Sequence, residues 1–134
     1  MIKEKKILVV DDEAPVRDIL HKAFSKAGYD VRTAENAEKA EEILSRESIM
    51  VMFLDLNLPD MNGIDLCKQI RKQNWIAIIY ALTGYTDLFA LLECRMAGFD
   101  DFFTKPVSID VILKAALEAF EKLERWTVDD YDLA

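Results

Sequence analysis

Histidine and cysteine are scarce in this chain. Its 134 residues include one histidine and two cysteines. His21, Cys67 and Cys94 stand far apart and form no CxxC pair, so a zinc site lacks its ligands. The two cysteines read as reduced helix thiols of an intracellular protein. Clustered positive charge is also missing. Seventeen Lys and Arg face 25 Asp and Glu, for a net charge of -8, and no basic run appears. That opposes the electrostatic footprint of a nucleic-acid binder, and no direct DNA contact is expected. No apolar run approaches the ~18 residues of a membrane helix. Residues 1–6 are too polar for a secretory signal. A cytoplasmic protein without a membrane segment is expected. Repeats, low-complexity segments and linkers are absent, which suits a single domain.

What is present is a regular alternation. Apolar residues make up 51% of the chain, ample for a core, and charged residues 31%. Strand and helix patterns alternate five times, favouring a parallel sheet covered on both faces. The runs at 7–10, 50–54 and 76–82 are continuously apolar, as doubly covered strands are. Residues 30–33 are short and alternating and suit an edge. A fifth short run, 102–104, also looks buried. Between the strands lie 3.6-period stripes. The first carries Val16, Ile19, Leu20, Ala23, Phe24 and Ala27, with Pro15 in its first turn and Gly28 at its stop. The second carries Ala37, Ala40, Ile43 and Leu44. The third carries Ile64, Cys67 and Ile70 after a turn at 59–63. The fourth runs from about Asp87 to Ala97. The fifth carries Ile109, Ile112, Leu113, Ala116, Leu117, Phe120 and Leu123, with Ser108 as N-cap. Trp75 is expected to open the fourth strand as a packing residue. Trp126 is left to cap the core or join an interface.

Four of these runs end in residues suited to phosphoryl transfer: Asp11 and Asp12, Asp55, Thr83, and Lys105 before Pro106. In an open parallel sheet, ligands bind beyond the carboxyl ends of the strands. The topology would therefore gather three carboxylates, a hydroxyl and an ammonium. Two like charges ~4 Å apart cost about 4 kcal/mol at an effective dielectric near 20, so such a cluster takes up protons or a cation. Oxygen-only ligands suit Mg²⁺, with Mn²⁺ as a substitute. Asp55 is the candidate nucleophile. A carboxylate with a reference pKa of about 3.9 is ionised at pH 7 and needs no general base. Lys105 would place a fixed positive charge on a phosphoryl oxygen, and Thr83 would donate a hydrogen bond to another.

Together, Val9-Val10-Asp11-Asp12-Glu13, the segment 54–63, Leu82-Thr83-Gly84 and Phe103-Thr104-Lys105-Pro106 resemble the receiver domain of two-component response regulators. The likeness spans about residues 5–123. It implies a flavodoxin-like α/β fold: a doubly wound five-stranded parallel sheet of order 2-1-3-4-5 with five helices. Residues 1–124 would form the receiver and 125–134 an acidic tail. Asp55 would accept a phosphoryl group from a sensor histidine kinase or histidine phosphotransfer protein. Asp12 would bind Mg²⁺ directly, Asp11 would assist through water, and the Asn57 backbone carbonyl would complete the protein's share. Thr83 and Phe102 would form the switch, and the Lys105-Pro106 bond would be cis. Phe102 lacks the hydroxyl of a tyrosine switch. Tyr85, two residues after Thr83, is expected to shield the acyl phosphate from water.

The likeness also implies a phosphoacceptor regulatory domain rather than an enzyme with an external substrate. It assigns helix one, with Arg17, Asp18 and His21, to kinase docking. It assigns helix four, strand five and helix five to a downstream target, and allows a homodimer on activation. His21 reads as a partly exposed helix residue rather than a phosphoacceptor. The strongly apolar helix four (Leu88, Phe89, Leu91, Leu92, Met96) is read as deeply buried, with a partner interface as the alternative. The chain could act alone or be the receiver of a larger regulator or hybrid kinase. An aspartate-nucleophile phosphatase would want a carboxylate where Asn57 stands. A flavin binder would want a phosphate-cradling loop where Asp11-Asp12-Glu13 would repel one. A phosphate-independent adapter fits poorly with the intact Asp55, Thr83 and Lys105 set.

Overall fold

The structure is a computed structural model and describes residues 4–84 and 88–126. The elements run β1 (Lys6–Val10), α1 (Ala14–Lys26), β2 (Asp30–Ala34), α2 (Ala37–Arg46), β3 (Val51–Asp55), α3 (Gly63–Gln73), β4 (Ile78–Thr83), α4 (Leu88–Ala97), β5 (Asp101–Thr104) and α5 (Ile109–Arg125). One parallel sheet takes the order β2-β1-β3-β4-β5. The expected flavodoxin-like architecture and edge position of β2 are both found.

The period-2 alternation of a strand divides each central apolar run between two cores. Leu8, Val10, Met52, Leu54, Ile79 and Ala81 meet α2, α3 and α4 on one face. Ile7, Val9, Val51, Phe53, Ile78, Tyr80 and Leu82 meet α1 and α5 on the other. There Phe53 lies 5.2 Å from Phe24 and 5.1 Å from Tyr80 between ring centroids. Tyr80 reaches further and donates its hydroxyl to the Ala115 carbonyl at 3.1 Å. Such contacts fix α1 and α5 against the strands whose ends carry the chemistry.

Several expectations need correction. Trp75 does not open β4; it lies before the strand and is 81% exposed. The Arg71 guanidinium draws the Trp75 and Ala77 carbonyls onto the end of α3, and Asn74 accepts the Ala77 N–H. Strand pairing can begin only at Ile78, whose N–H reaches the Met50 carbonyl at 2.7 Å. The run 102–104 is not a buried strand. β5 has one neighbour, so Phe103 packs on Phe53 and Tyr80 while Phe102 on the other face is 37% exposed. Ile19 and Leu117 leave their helices' buried stripes. Each sits one position off the buried pairs Leu20–Phe24 and Ala116–Phe120, about 100° around the helix.

Helix α4 is not deeply buried along its described length. Cys94 and Ala97 face the core, whereas Leu92 and Met96 are exposed. Ser108 stands at the N-cap of α5 but makes no side-chain capping bond. Trp126 is exposed and does not cap the core. Both cysteines are free and buried, and His21 is exposed on α1. Among the described residues, no helix is long and apolar enough to cross a membrane.

Candidate functional site

The parallel register carries the chemical residues to one end of the sheet. Val10 pairs with Leu54, Asp55 with Leu82 and Thr83 with Thr104. Beyond the last rung of β4 and β5, the Lys105 N–H still reaches the Thr83 carbonyl at 2.9 Å. That bond brings the lysine side chain back over the strand ends. Its Nζ lies 2.7 Å from Asp11 Oδ2 and 3.3 Å from Asp55 Oδ2. The Lys105-Pro106 bond is cis, as the family resemblance implied.

Each carboxylate is held by backbone as well as charge. Asp55 Oδ1 accepts the Asn57 N–H at 3.0 Å, and Asp11 Oδ1 accepts the Glu13 N–H at 2.9 Å. The Asp11 N–H reaches the Ala34 carbonyl at 3.0 Å. Arg17 donates to the Asp11 carbonyl at 2.7 Å. Asp11, Asp55 and Thr83 are the buried polar residues of the described chain, while Asp12 stands exposed at the mouth.

The electrostatics follow from this burial. Loss of solvation pushes the Asp55 carboxyl up to about 6, and the nearby Asp11 charge adds to the effect. The Asn57 N–H and the Lys105 ammonium oppose it. For Lys105, burial is the largest single influence and disfavours the charge, yet Asp11 and Asp55 together raise its pKa above the ordinary value. One ammonium thus serves two buried carboxylates.

The donor set fits a hard divalent cation. Asp11, Asp12 and Asp55 offer carboxylate oxygens that all lie within 4.8 Å of one another. Asp11 Oδ2 is fully buried and accepts no hydrogen bond of good geometry; Lys105 is its ionic neighbour. A buried anionic oxygen with such thin compensation is costly, and a cation would relieve it. Oxygen ligands without histidine or thiolate suit Mg²⁺ or Mn²⁺.

Of the residues expected here, Asp11, Asp12, Asp55 and Lys105 converge, Asn57 joins them through its N–H, Thr83 ends β4 with its carbonyl bonded to the Lys105 N–H, and Phe102 lies on β5 three residues before Lys105. Tyr85 falls outside the described residues, as do Asp87 and the acidic segment with Asp129, Asp130 and Asp132. Three contributors carried no distinct signal in the sequence. Arg17, which the resemblance assigns to kinase docking, also braces the Asp11 backbone. Gly63 looked like part of a turn; a Cβ there would sit 2.3 Å from the Asp55 carbonyl oxygen. Asp60 also looked like a turn residue, yet its carboxylate reaches α2.

A sequence model of the response regulator receiver domain matches residues 7–117, most of the chain. The chain belongs to the response regulator receiver domain family. The receiver is 38% identical over 120 residues to the alkaline phosphatase synthesis transcriptional regulatory protein PhoP of Bacillus subtilis, covering 87% of this chain and 50% of that protein. It is 35% identical over 124 residues to the probable transcriptional regulator ycf27 of Porphyridium aerugineum, covering 90% of this chain and 51% of that protein. The chain therefore spans about half the length of these relatives. Among solved structures, the CheY-like response regulator receiver domain protein of Methanospirillum hungatei superposes with a TM-score of 0.89 at 27% identity, covering 93% of this chain and all of that one. Receiver domains are regulatory domains of two-component systems and bind Mg²⁺ at an acidic pocket; the Asp cluster here has the ligand set to hold a metal ion.

Proposed function

We propose that this receiver is a phosphorylation-activated switch in which Asp55 is the phosphoacceptor. The observation that carries this is the setting of Asp55. It is a buried carboxylate with one oxygen fixed by the Asn57 N–H and the other 3.3 Å from Lys105. An oxygen of Asp55 attacks phosphorus, the bond from phosphorus to a kinase or phosphotransfer histidine nitrogen breaks, and the imidazole keeps the electron pair. Transfer through a loose transition state asks the protein mainly for position and charge. Lys105 supplies charge to the incoming oxygens and Thr83 a hydroxyl beside them. Asp12, Asp11, Asp55 and the Asn57 carbonyl would hold Mg²⁺, or Mn²⁺ in its place, which supplies charge neutralisation when bound. The reaction is confined to the domain's own phosphorylation and dephosphorylation.

The partners are those that the family implies, and the surface supports them. A sensor histidine kinase or phosphotransfer protein would dock beside α1, where Arg17, Asp18 and His21 lie. The downstream protein would read α4, β5 and α5, where Leu92, Met96, Phe102 and Leu117 are exposed. That apolar excess supports an output or homodimer face on activation. Moving a switch from 1:99 to 99:1 takes about 5.5 kcal/mol, and contacts of Thr83 and Lys105 with a phosphoryl group are the proposed source. Residues 1–124 are assigned to the receiver and 125–134 to an acidic tail. Two unpaired thiols suit a cytoplasmic setting. A net charge of -8 suits protein rather than DNA contacts.

The test is intact-mass measurement after incubation with Mg²⁺ and acetyl phosphate or phosphoramidate. A Mg²⁺-dependent gain of one phosphoryl group is expected, and Asp55→Asn is expected to show none. A folded, Mg²⁺-bound parent that gains nothing would overturn the assignment of Asp55.

A further inference from the structure

Asp60 lies on the loop between β3 and α3, outside the acidic cluster, and nothing in the proposed chemistry uses it. Its carboxylate nevertheless spans two elements. Oδ1 accepts the Ala37 N–H and Oδ2 the Glu38 N–H, each at 3.0 Å. These are the first two amides of α2. The next amide, of Lys39, is taken by the Asn36 side chain at 2.8 Å. A helix leaves its first amides without intrahelical partners, and the partial positive charge there favours a carboxylate. The Ala37 N–H, followed by that of Glu38, holds the Asp60 carboxyl below the usual carboxylate range.

The geometry of capping is ordinary, but its source is not. Asn36 caps α2 locally, whereas Asp60 comes from 23 residues further along the chain. The loop it belongs to also carries Asn57. That loop is pinned at both ends: the Leu56 N–H reaches the Leu82 carbonyl, and the Gly63 N–H reaches the Leu56 carbonyl. Between those pins, Asp60 ties it to α2 by hydrogen bonds, beside the apolar packing of Leu58 and Met61 on the core that Ala37 and Ala40 share. The β2–α2 corner also holds the other half of the acidic cluster, through the Asp11 N–H bonded to the Ala34 carbonyl at 3.0 Å. Both halves of the cluster are therefore referenced to one corner, spanning residues 34–38.

We propose that Asp60 is a positioning residue that clamps the 56–62 loop to the N-terminus of α2 and thereby sets the Asn57 carbonyl against Asp11 and Asp12 for binding a divalent cation. The inference rests on the cation site proposed above. It assigns to Asp60 a role in cation affinity and not only in helix stability.

The experiment is Mn²⁺ titration of the full chain, followed by electron paramagnetic resonance of the free ion, for the parent, Asp60→Ala, Asp60→Asn and Asn36→Ala. Asn36→Ala removes a cap from the same helix without touching the loop. Asp60→Ala is expected to weaken Mn²⁺ binding roughly tenfold, the low end of losses when an outer support of a metal ligand is removed. Asp60→Asn, which keeps one acceptor oxygen, is expected to fall between it and the parent. Asn36→Ala is expected to bind as the parent does. Circular dichroism identifies the folded variants, and Asp60→Asn serves if Asp60→Ala does not fold. Equal Mn²⁺ affinity in the parent and the folded Asp60 variants overturns the clamp. Equal losses in Asn36→Ala and Asp60→Ala overturn it also, since helix capping alone would then explain the effect. A parent that binds no Mn²⁺ removes the cation site itself and the clamp with it.

Discussion

At the carboxyl ends of the strands, Asp11 and Asp55 share a single ammonium. At the opposite ends, Arg71 spends its guanidinium on the carbonyls of Trp75, Ala77 and Gly98 and on the Asp100 carboxylate. Asp100 Oδ2 in turn accepts the Ile79 N–H at 2.8 Å. A second network there joins Arg32 to Asp30 and Glu47, and Lys6 to Glu47 and Glu4. At this pole each of these carboxylates has a cation partner of its own or shared, whereas the acidic pole leaves a buried Asp11 oxygen without a hydrogen bond and gives two buried carboxylates one ammonium. The same polar chemistry thus serves two ends. Where every group is satisfied it fixes the chain, and where compensation is withheld it leaves affinity for something absent.

The largest effect is expected from breaking the satisfied pole. Arg71→Ala would strip partners from three carbonyls and one partly buried carboxylate, at a cost of about 3 kcal/mol. Urea denaturation should show the lower midpoint. Phosphorylation by acetyl phosphate should survive wherever the variant is folded. The acidic pole should respond with the opposite sign. Burial and like charge raise the Asp55 carboxyl from 3.8 to about 6, and a shift of that size corresponds to about 2–3 kcal/mol. Asp55→Asn should therefore raise the urea midpoint at pH 7.5 while abolishing phosphoryl gain. A lower midpoint would mean that the pole is not short of positive charge.

Cation binding should close part of the gap between the poles. Ligand at ten times its Kd stabilises a folded state by about 1.4 kcal/mol. Mg²⁺ should raise the parent's melting temperature and leave that of Asp11→Asn nearly unchanged, as followed by differential scanning calorimetry. The smallest effect concerns the exposed network. Arg32 holds Asp30 and Glu47 below their ordinary values of 3.8 and 4.5. Folded pKa values below the unfolded ones mean that this stability is present above about pH 4.5 and is lost as pH falls through the folded values. Arg32→Gln should flatten that part of the acid limb, measured as urea midpoints between pH 5 and pH 3.

Most of the acidic pole was legible because its residues follow apolar runs directly, and a parallel sheet delivers strand ends to one place. The satisfied pole was not legible. Arg71 follows Ile70 in a helix like any surface arginine, and the carbonyls it collects belong to segments up to 27 residues away. The same contact hid the true start of β4, because Trp75 and Ile76 have strand-like composition but are held outside the ladder. Phe102 and Phe103 are identical in type, and only the edge position of β5 separates an exposed ring from a packed one.

By itself the sequence determined the alternation of strands and helices, the two-faced burial of the central strands, and the placing of Asp11, Asp12, Asp55, Thr83 and Lys105 at strand ends. Those are local matters, set by hydrophobic period and by which residue follows a run. Only the tertiary structure decided that Lys105 lies between Asp11 and Asp55, that Gly63 must pass against the Asp55 carbonyl, and that Asp60 caps a helix it does not belong to. These depend on distances between segments remote in sequence, which packing creates and periodicity does not encode.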